Sequence, residues 1–375
     1  MHPDVLVIGG GVIGLTTAYY LGREGVSVHV LDRSAAGSEA SWAGAGIIPP
    51  GNPAHATSAY NRLRAISAEA YPALSAELLK QTGIDNGYRV CGGIEIFEGD
   101  PSLVLRIWRE ERIDSRRLMA DELRCLEPEI RPPTNEIHLL PGMGQVRNPW
   151  HVRALIAACE KVGVEIEANA PVTRLRLAGN RVLAGITEDG VEHLADRFLV
   201  AAGAWSDRLL LQLGVRTGVH PVRGQIVLFR SAEPLLRRVV SVGKCYLVPR
   251  QDGRILAGAT EEPEAGFEKR TTESGVGGLI RFATGLLPRL VTAEVEKTWA
   301  GLRPGSPDGL PFLGPMPGFD NVFAATGHFR AGIQLSPGTA LLMSELLSGR
   351  RPTMPLDDFR LDRPPAPPFP AAFRS

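Results

Sequence analysis

Three glycines in Gly9-Gly10-Gly11-Val12-Ile13-Gly14 stand in the pattern G-x-G-x-x-G directly after the apolar run Val5-Leu6-Val7-Ile8. An acid, Asp32, closes a second apolar run, Val26 to Leu31, about twenty residues further on. Those residue types at that spacing suit the phosphates and one ribose of a dinucleotide. Gly9 permits a tight turn, Gly11 lets backbone approach a pyrophosphate, and Gly14 lets the next helix pack close to the strand. Val12 and Ile13 open that helix, so its free N–H groups and the positive end of its dipole face the phosphates. Asp32 is placed to accept from ribose hydroxyls, which implies a free 2′-hydroxyl.

This fingerprint reads only the adenosine diphosphate half that NAD and FAD share. The far end of the chain separates them. Asn321 to Ala325 reads as a strand, Thr326-Gly327-His328-Phe329-Arg330-Ala331-Gly332 as a turn, and Ser336 to Ser348 as a helix with Leu341, Leu342, Leu346 and Leu347 on a 3.6-residue rhythm. A glycine-containing turn feeding a helix is a second anion site. The N1 and C2=O edge of a reduced flavin needs one, whereas a nicotinamide does not, so the cofactor expected is FAD.

These motifs, with Gly37-Ser38-Glu39-Ala40-Ser41-Trp42-Ala43-Gly44-Ala45-Gly46-Ile47, Phe198-Leu199-Val200-Ala201-Ala202-Gly203-Ala204-Trp205-Ser206 and Trp299-Ala300-Gly301-Leu302-Arg303-Pro304, resemble the FAD-dependent D-amino-acid oxidase superfamily. Within it the likeness is strongest to the glycine oxidases of thiamine biosynthesis, and it extends in the expected order from residue 1 to about 350. The resemblance implies an α/β fold, a Rossmann-like, doubly wound FAD-binding domain with an interleaved antiparallel or mixed-sheet substrate domain. It implies cofactor contacts from Gly9, Gly11, Val12, Ile13, Gly14, Asp32, Arg33, Ser41, Ala45, Gly46 and Ile47 in the N-terminal part. Further along it implies contacts from Val172, Ala202, Gly203, Trp205, His328, Phe329, Arg330, Ala331, Gly332 and Ile333. Asp32 departs from the glutamate more usual in FAD enzymes; the shorter carboxylate reaches ribose if the loop sits closer.

The chemistry implied is hydride transfer from an amino-acid Cα to flavin N5, so the protein must chiefly hold Cα against the cofactor. By family likeness Arg303 is the clamp for the substrate carboxylate, a task suited to a planar guanidinium fork. Tyr246 is a second candidate, a phenol that donates to the same carboxylate while its ring walls the pocket. Arg330, at the flavin edge, either favours the anionic reduced ring or helps hold substrate. His328 is read as positioning the flavin loop, because hydride transfer from a neutral amine needs no general base. Relatives that hold flavin covalently use a late cysteine, whereas the last cysteine here is Cys245, upstream of Arg303, so FAD is expected to be non-covalent.

The elements that position these residues are interleaved. The pattern places the FAD-binding domain at 1–85, 143–217 and 299–350, the substrate domain at 86–142 and 218–298, and a proline-rich extended or disordered tail at 351–375. In the first, Asn61 to Thr82 and Trp150 to Val162 carry helical periodicity. In the second, Gln225–Phe229, Cys245–Pro249 and Arg254–Gly258 read as strands, with Asp252-Gly253 as a hairpin turn between the last two.

Composition narrows the alternatives. Forty-one basic and forty-one acidic residues among 375 leave no electrostatic footprint for nucleic acid. The four cysteines are widely spaced, no Asn-x-Ser/Thr sequon occurs, and a reduced cytoplasm is expected, with a membrane-peripheral site if the enzyme is a dehydrogenase. Glycines interrupt the apolar run Val5 to Leu21, against an integral membrane segment. No H-E-x-x-H, paired histidines or clustered cysteines occur at metal-ligand spacing, so no metal is expected.

The expected partners are a small amino-acid substrate, glycine or a small D-amino acid, and O₂ as electron acceptor. The alternative is a D-amino-acid or hydroxyproline dehydrogenase that passes electrons to a quinone or partner subunit. A catalytically silent, flavin-holding subunit is disfavoured, since Arg303 and Tyr246 are useless to a scaffold. The oligomeric state is left open, a homo-oligomer included.

Overall fold

The computed structural model describes residues 2–368 and residue 373. Its centre is a six-stranded sheet in the order Phe312–Pro315, Val322–Thr326, Arg197–Val200, Val5–Ile8, Val28–Leu31, Glu165–Glu167. All neighbours pair in parallel except the edge strand Phe312–Pro315. Val5–Ile8 is buried along its whole length and reads as a continuous apolar run because both of its faces are covered. Val5, Val7, Val28 and Val30 face the helices Val12–Arg23, Asn148–Lys161 and Gly332–Leu347. Leu6, Ile8, Leu31 and Phe198 face the other way, toward the antiparallel meander Val172–Ala178, Arg181–Thr187, Glu192–Leu194. The second face of this Rossmann-like sheet is therefore covered mainly by strands, not by the second helical layer that a doubly wound reading implies.

The long helix Ala59–Thr82 starts at Ser58, whose hydroxyl accepts from the Asn61 amide, and stops at Gly83 in the left-handed conformation, φ 72°. It crosses Gly332–Leu347 at Gly338, where a Cβ would lie 2.5 Å from Ser67 Oγ and 3.0 Å from the Leu63 carbonyl oxygen. Pro337 lies inside the second helix and lacks the N–H that would reach Ile333 four residues back. The Tyr71 hydroxyl of the crossing helix donates to the Ile333 carbonyl instead.

An eight-stranded sheet forms the second unit, ordered Glu294–Gly305, His220–Arg230, Arg254–Gly258, Cys245–Pro249, Val239–Val242, Gly93–Ile96, Ile137–Leu140, Arg116–Arg117. It is antiparallel except where Val239–Val242 runs parallel to Gly93–Ile96. Strand alternation sends Val227, Phe229, Leu247 and Ile255 against the helix Glu273–Leu286, and Ile226, Tyr246, Val248 and Leu256 toward Ala45 and Ile47 of the cofactor unit. Residues 299–305, assigned by the sequence reading to the FAD-binding segments, continue the strand Glu294–Gly305. They pair with His220–Arg230 in the register Val222 to Arg303.

The tail also differs from expectation in its first half. Asp357–Phe359 forms a short 3₁₀ turn, Phe359 and Leu361 are buried, and Arg363 binds Asp308 with Nε to Oδ2 at 2.7 Å. Residues 369–372, 374 and 375 lie outside the described residues. Among the described residues no helix is long and apolar enough to cross a membrane.

Candidate active site

A cavity of about 560 Å³ runs from the carboxyl ends of Val5–Ile8 and Val28–Leu31 to the face of the eight-stranded sheet. Its first part is built by glycine geometry. Gly9 has φ +116°, and a Cβ there would lie 2.3 Å from the Ala201 carbonyl oxygen. A Cβ on Gly14 would lie 2.0 Å from the Gly9 carbonyl oxygen, so Gly14 sets the helix against the strand and does not itself line the cavity. Gly11 differs from both: a Cβ there would meet only Ser41 Oγ, at 3.3 Å, and it borders the cavity. Ser41 Oγ also accepts from the Val12 amide at 2.9 Å, tying the motif beginning at Gly37 to the helix N-terminus.

Asp32 is anchored where the fingerprint requires an acid. Its Oδ2 accepts from the Gly10 amide at 2.7 Å and its Oδ1 from the Ser34 amide at 2.9 Å. Oδ1 also accepts from the Ser34 hydroxyl at 3.2 Å, which leaves Oδ2 with accepting capacity for a ribose hydroxyl. Burial raises its pKa, and the bonds from Ser34 and Gly10 oppose that shift. Next to it Arg33 lies over the Trp205 ring, 4.2 Å from the centroid. Val172, Ala202 and Gly203 complete this end, and Ala45, Gly46 and Ile47 line the wall toward the substrate sheet.

At the other end Gly327, with φ +75°, turns the chain into the helix Gly332–Leu347, whose first residues Gly332, Ile333 and Gln334 border the cavity. Gln334 Nε2 is buried without a hydrogen-bond partner, and sequence reasoning missed it. His328 is buried, bonds Thr339 Oγ1 through Nε2 at 3.1 Å, and has its pKa pushed down by burial to about 3. Phe329 borders the cavity in a left-handed conformation, φ 47°. Ala331, expected among the cofactor contacts, instead packs in the hydrophobic core with its amide bonded to the His328 carbonyl at 2.9 Å.

Arg303, Tyr246 and Arg330 converge on the space between the two units. Arg303 Nη1 donates to the Thr260 carbonyl at 3.0 Å, and its guanidinium occupies the space that a side chain on Gly224 would need. Burial lowers its pKa, while Tyr246 beside it acts the other way. Burial raises that of Tyr246, which stays a phenol and keeps its proton to donate. Among the described residues no carboxylate pairs with Arg303. Arg330 has one: Nη1 lies 3.5 Å from Glu261 Oε2, and Nη2 donates to the Lys244 carbonyl at 2.8 Å.

The cavity suits FAD on three counts: side-chain-free backbone at Gly9 and Gly11, an anchored acid at the ribose position, and an unpartnered Gln334 amide at the flavin end. Fold and cavity together define a flavin-dependent oxidoreductase. The family model DAO, described as FAD dependent oxidoreductase, matches residues 4–346, and the chain belongs to this family. The glycine oxidase of Pseudomonas aeruginosa is 37% identical over 353 residues, spanning 94% of this chain and 96% of that protein. The crystal structure of glycine oxidase from Geobacillus kaustophilus superposes with a TM-score of 0.91 at 33% identity, covering 96% of this chain and 99% of the other. That of iminodiacetate oxidase from Chelativorans sp. gives 0.83 at 28% identity, covering 95% and 98%.

Proposed function

We propose that the protein oxidises glycine or a small D-amino acid to the imino acid and passes the electrons to O₂. The observation that carries this reading is Arg303, a half-buried guanidinium facing the cavity with no carboxylate paired to it among the described residues. A substrate carboxylate fits there bidentately. Tyr246 donates a further hydrogen bond to it, and the pair fixes Cα on the side of the cavity that meets the helix Gly332–Leu347. FAD held in this cavity would supply N5 as the acceptor for the hydride of Cα. The substrate would become a protonated imine, which water hydrolyses to oxo acid and ammonium, and O₂ would take up two electrons and two protons as H₂O₂. His328, neutral and bonded to Thr339, holds the turn and removes no proton. The names of the relatives, glycine oxidase and iminodiacetate oxidase, support an amine next to a carboxylate as the oxidised group.

Non-covalent attachment is part of the proposal. None of the four cysteines lines the cavity. Acid or heat denaturation should release the flavin as FAD, and yellow colour retained by the precipitate would overturn that point. The reaction is tested by anaerobic mixing with glycine, sarcosine, iminodiacetate, D- and L-amino acids and hydroxyproline while flavin absorbance is followed. Bleaching by glycine or a small D-amino acid, reversed by air with H₂O₂ in step with ammonia, is expected. Bleaching that persists in air and is relieved by a quinone analogue contradicts the oxidase reading and supports the dehydrogenase.

A further inference from the structure

His29, Glu167 and His193 come from three separate strands and meet where the six-stranded sheet joins the meander. His29 lies on Val28–Leu31, Glu167 on the edge strand Glu165–Glu167, and His193 on Glu192–Leu194. The parallel register sets His29 against Glu165 and Leu31 against Glu167, so both glutamates point to the side on which His29 stands. His29 Nε2 is 3.2 Å from Glu167 Oε2, and His193 Nδ1 is 4.0 Å from the same oxygen. The rings meet edge to face with centroids 5.5 Å apart, and the three donor atoms lie within 4.8 Å of one another. None of the three borders the cofactor cavity.

One imidazole on one carboxylate is an ordinary ion pair. A second imidazole nitrogen turned toward the same oxygen, its ring against the first, is the arrangement of a three-ligand metal site. We propose that His29, Glu167 and His193 form a binding site for a divalent ion of the zinc class, completed by water. Two imidazoles and one carboxylate select zinc or nickel over magnesium or calcium, which prefer all-oxygen shells. Ligands at about 2.0–2.2 Å around a tetrahedral zinc lie about 3.3–3.6 Å from each other, so His29 and Glu167 are already at that spacing, and His193 closes by about 0.4–0.7 Å on Glu167 and by up to about 1.5 Å on His29. The imidazoles are largely covered while the Glu167 side chain is 47% exposed, which leaves an entry path and an open fourth position.

The ion would tie the meander to the sheet edge next to the cofactor. The Glu167 carbonyl accepts from the Asp32 amide at 2.9 Å, so the site is one backbone hydrogen bond from the acid at the ribose position. An ion bound only in the folded state stabilises it by mass action. The ligands lie at positions 29, 167 and 193, a separation that no sequence spacing rule for metals covers.

The test is calorimetric titration of ZnCl₂ into untagged, EDTA-treated holoenzyme, with thermal unfolding measured in parallel. One equivalent should bind and raise the unfolding midpoint. Glu167→Gln and His193→Gln, checked for native flavin absorbance, should each weaken binding at least about tenfold. Glu165→Gln should weaken it much less. Absence of stoichiometric zinc uptake by the parent protein overturns the proposal. So does equal uptake by the parent, Glu167→Gln and His193→Gln proteins, which would place the ion on thiols such as the exposed Cys125.

Discussion

Arg303 holds its place through strand geometry and a backbone carbonyl, which leaves the outer edge of its guanidinium for a ligand. Gly224 on the paired strand keeps that neighbourhood open: a Cβ there would lie 2.2 Å from the guanidinium nitrogens. Tyr246 shares the site as a neutral donor, and its ring rests on Gly258, where a Cβ would approach within 2.9 Å. Tyr246→Phe should therefore keep the fold and the FAD and lose one hydrogen bond to a charged group, worth about 1–3 kcal/mol. Stopped-flow flavin reduction should slow by roughly fivefold to a hundredfold in efficiency; an unchanged rate would remove Tyr246 from substrate binding. Arg303, Tyr246 and His328 were legible in the sequence because they sit in or beside motifs. Gln334, Gly224 and Glu261 were not, since an unpartnered amide, a missing Cβ and a neutralised Arg330 acquire meaning only from tertiary neighbours.

At the scale of elements, the three fingerprint glycines have different jobs, and substitution separates them. Gly14→Ala drives a methyl into the Gly9 carbonyl and should destabilise the whole cofactor unit, lowering the urea midpoint. Gly11→Val instead projects toward the cavity and toward Ser41 Oγ, so it should give folded protein lacking flavin. A Gly11→Val protein with normal FAD content would show that this turn does not hold the cofactor. The strands Cys245–Pro249 and Arg254–Gly258 were readable to the residue, because apolar runs flank an Asp-Gly turn. The last helix was read from Ser336 but starts at Gly332. Its proline at 337 argues locally for a helix start, and the Ile333 carbonyl it leaves unbonded is met by the Tyr71 and Ser336 hydroxyls. That turn borders the flavin end, so the signal missed by periodicity is also part of the site.

At the scale of the molecule, the two sheets and their interleaving were expected, but two features depend on long-range pairing. The meander covering the second sheet face replaces helices, and the strand Glu294–Gly305 carries Arg303 into the substrate sheet. Neither follows from local patterning, because a buried strand has the same apolar text whichever layer covers it. Burial of neutral imidazoles also sets a global pH response. His328 and His151 are pushed down to about 3 and about 4, below the unfolded value of about 6.5. The unfolded chain therefore binds more protons as pH falls through 6.5 toward those values, and stability present above pH 6.5 is lost. Each contributes about 2 kcal/mol of loss by pH 5, and Glu95, whose carboxyl burial pushes up to about 7, gains protons in the folded state over the same interval and offsets about one of the two. Urea unfolding at pH 7 and pH 5 should show a lower midpoint at pH 5; equal midpoints would mean that at least one of these rings is not held neutral.

In the proposed reaction the two units meet across the cavity, one to hold the cofactor and the other, through Arg303, to hold the substrate carboxylate. Anaerobic stopped-flow reduction of Arg303→Ala and Arg303→Lys by glycine measures that directly. Removing one partner of a desolvated charge pair costs on the order of 3–5 kcal/mol. Arg303→Ala should thus retain FAD while losing roughly a hundredfold to a few thousandfold in reduction efficiency. Arg303→Lys should recover only part, because an ammonium lacks the two-pronged fork. Reduction of the Arg303→Ala flavin by glycine at the parental rate would contradict the account and move the search for the clamp to Arg330.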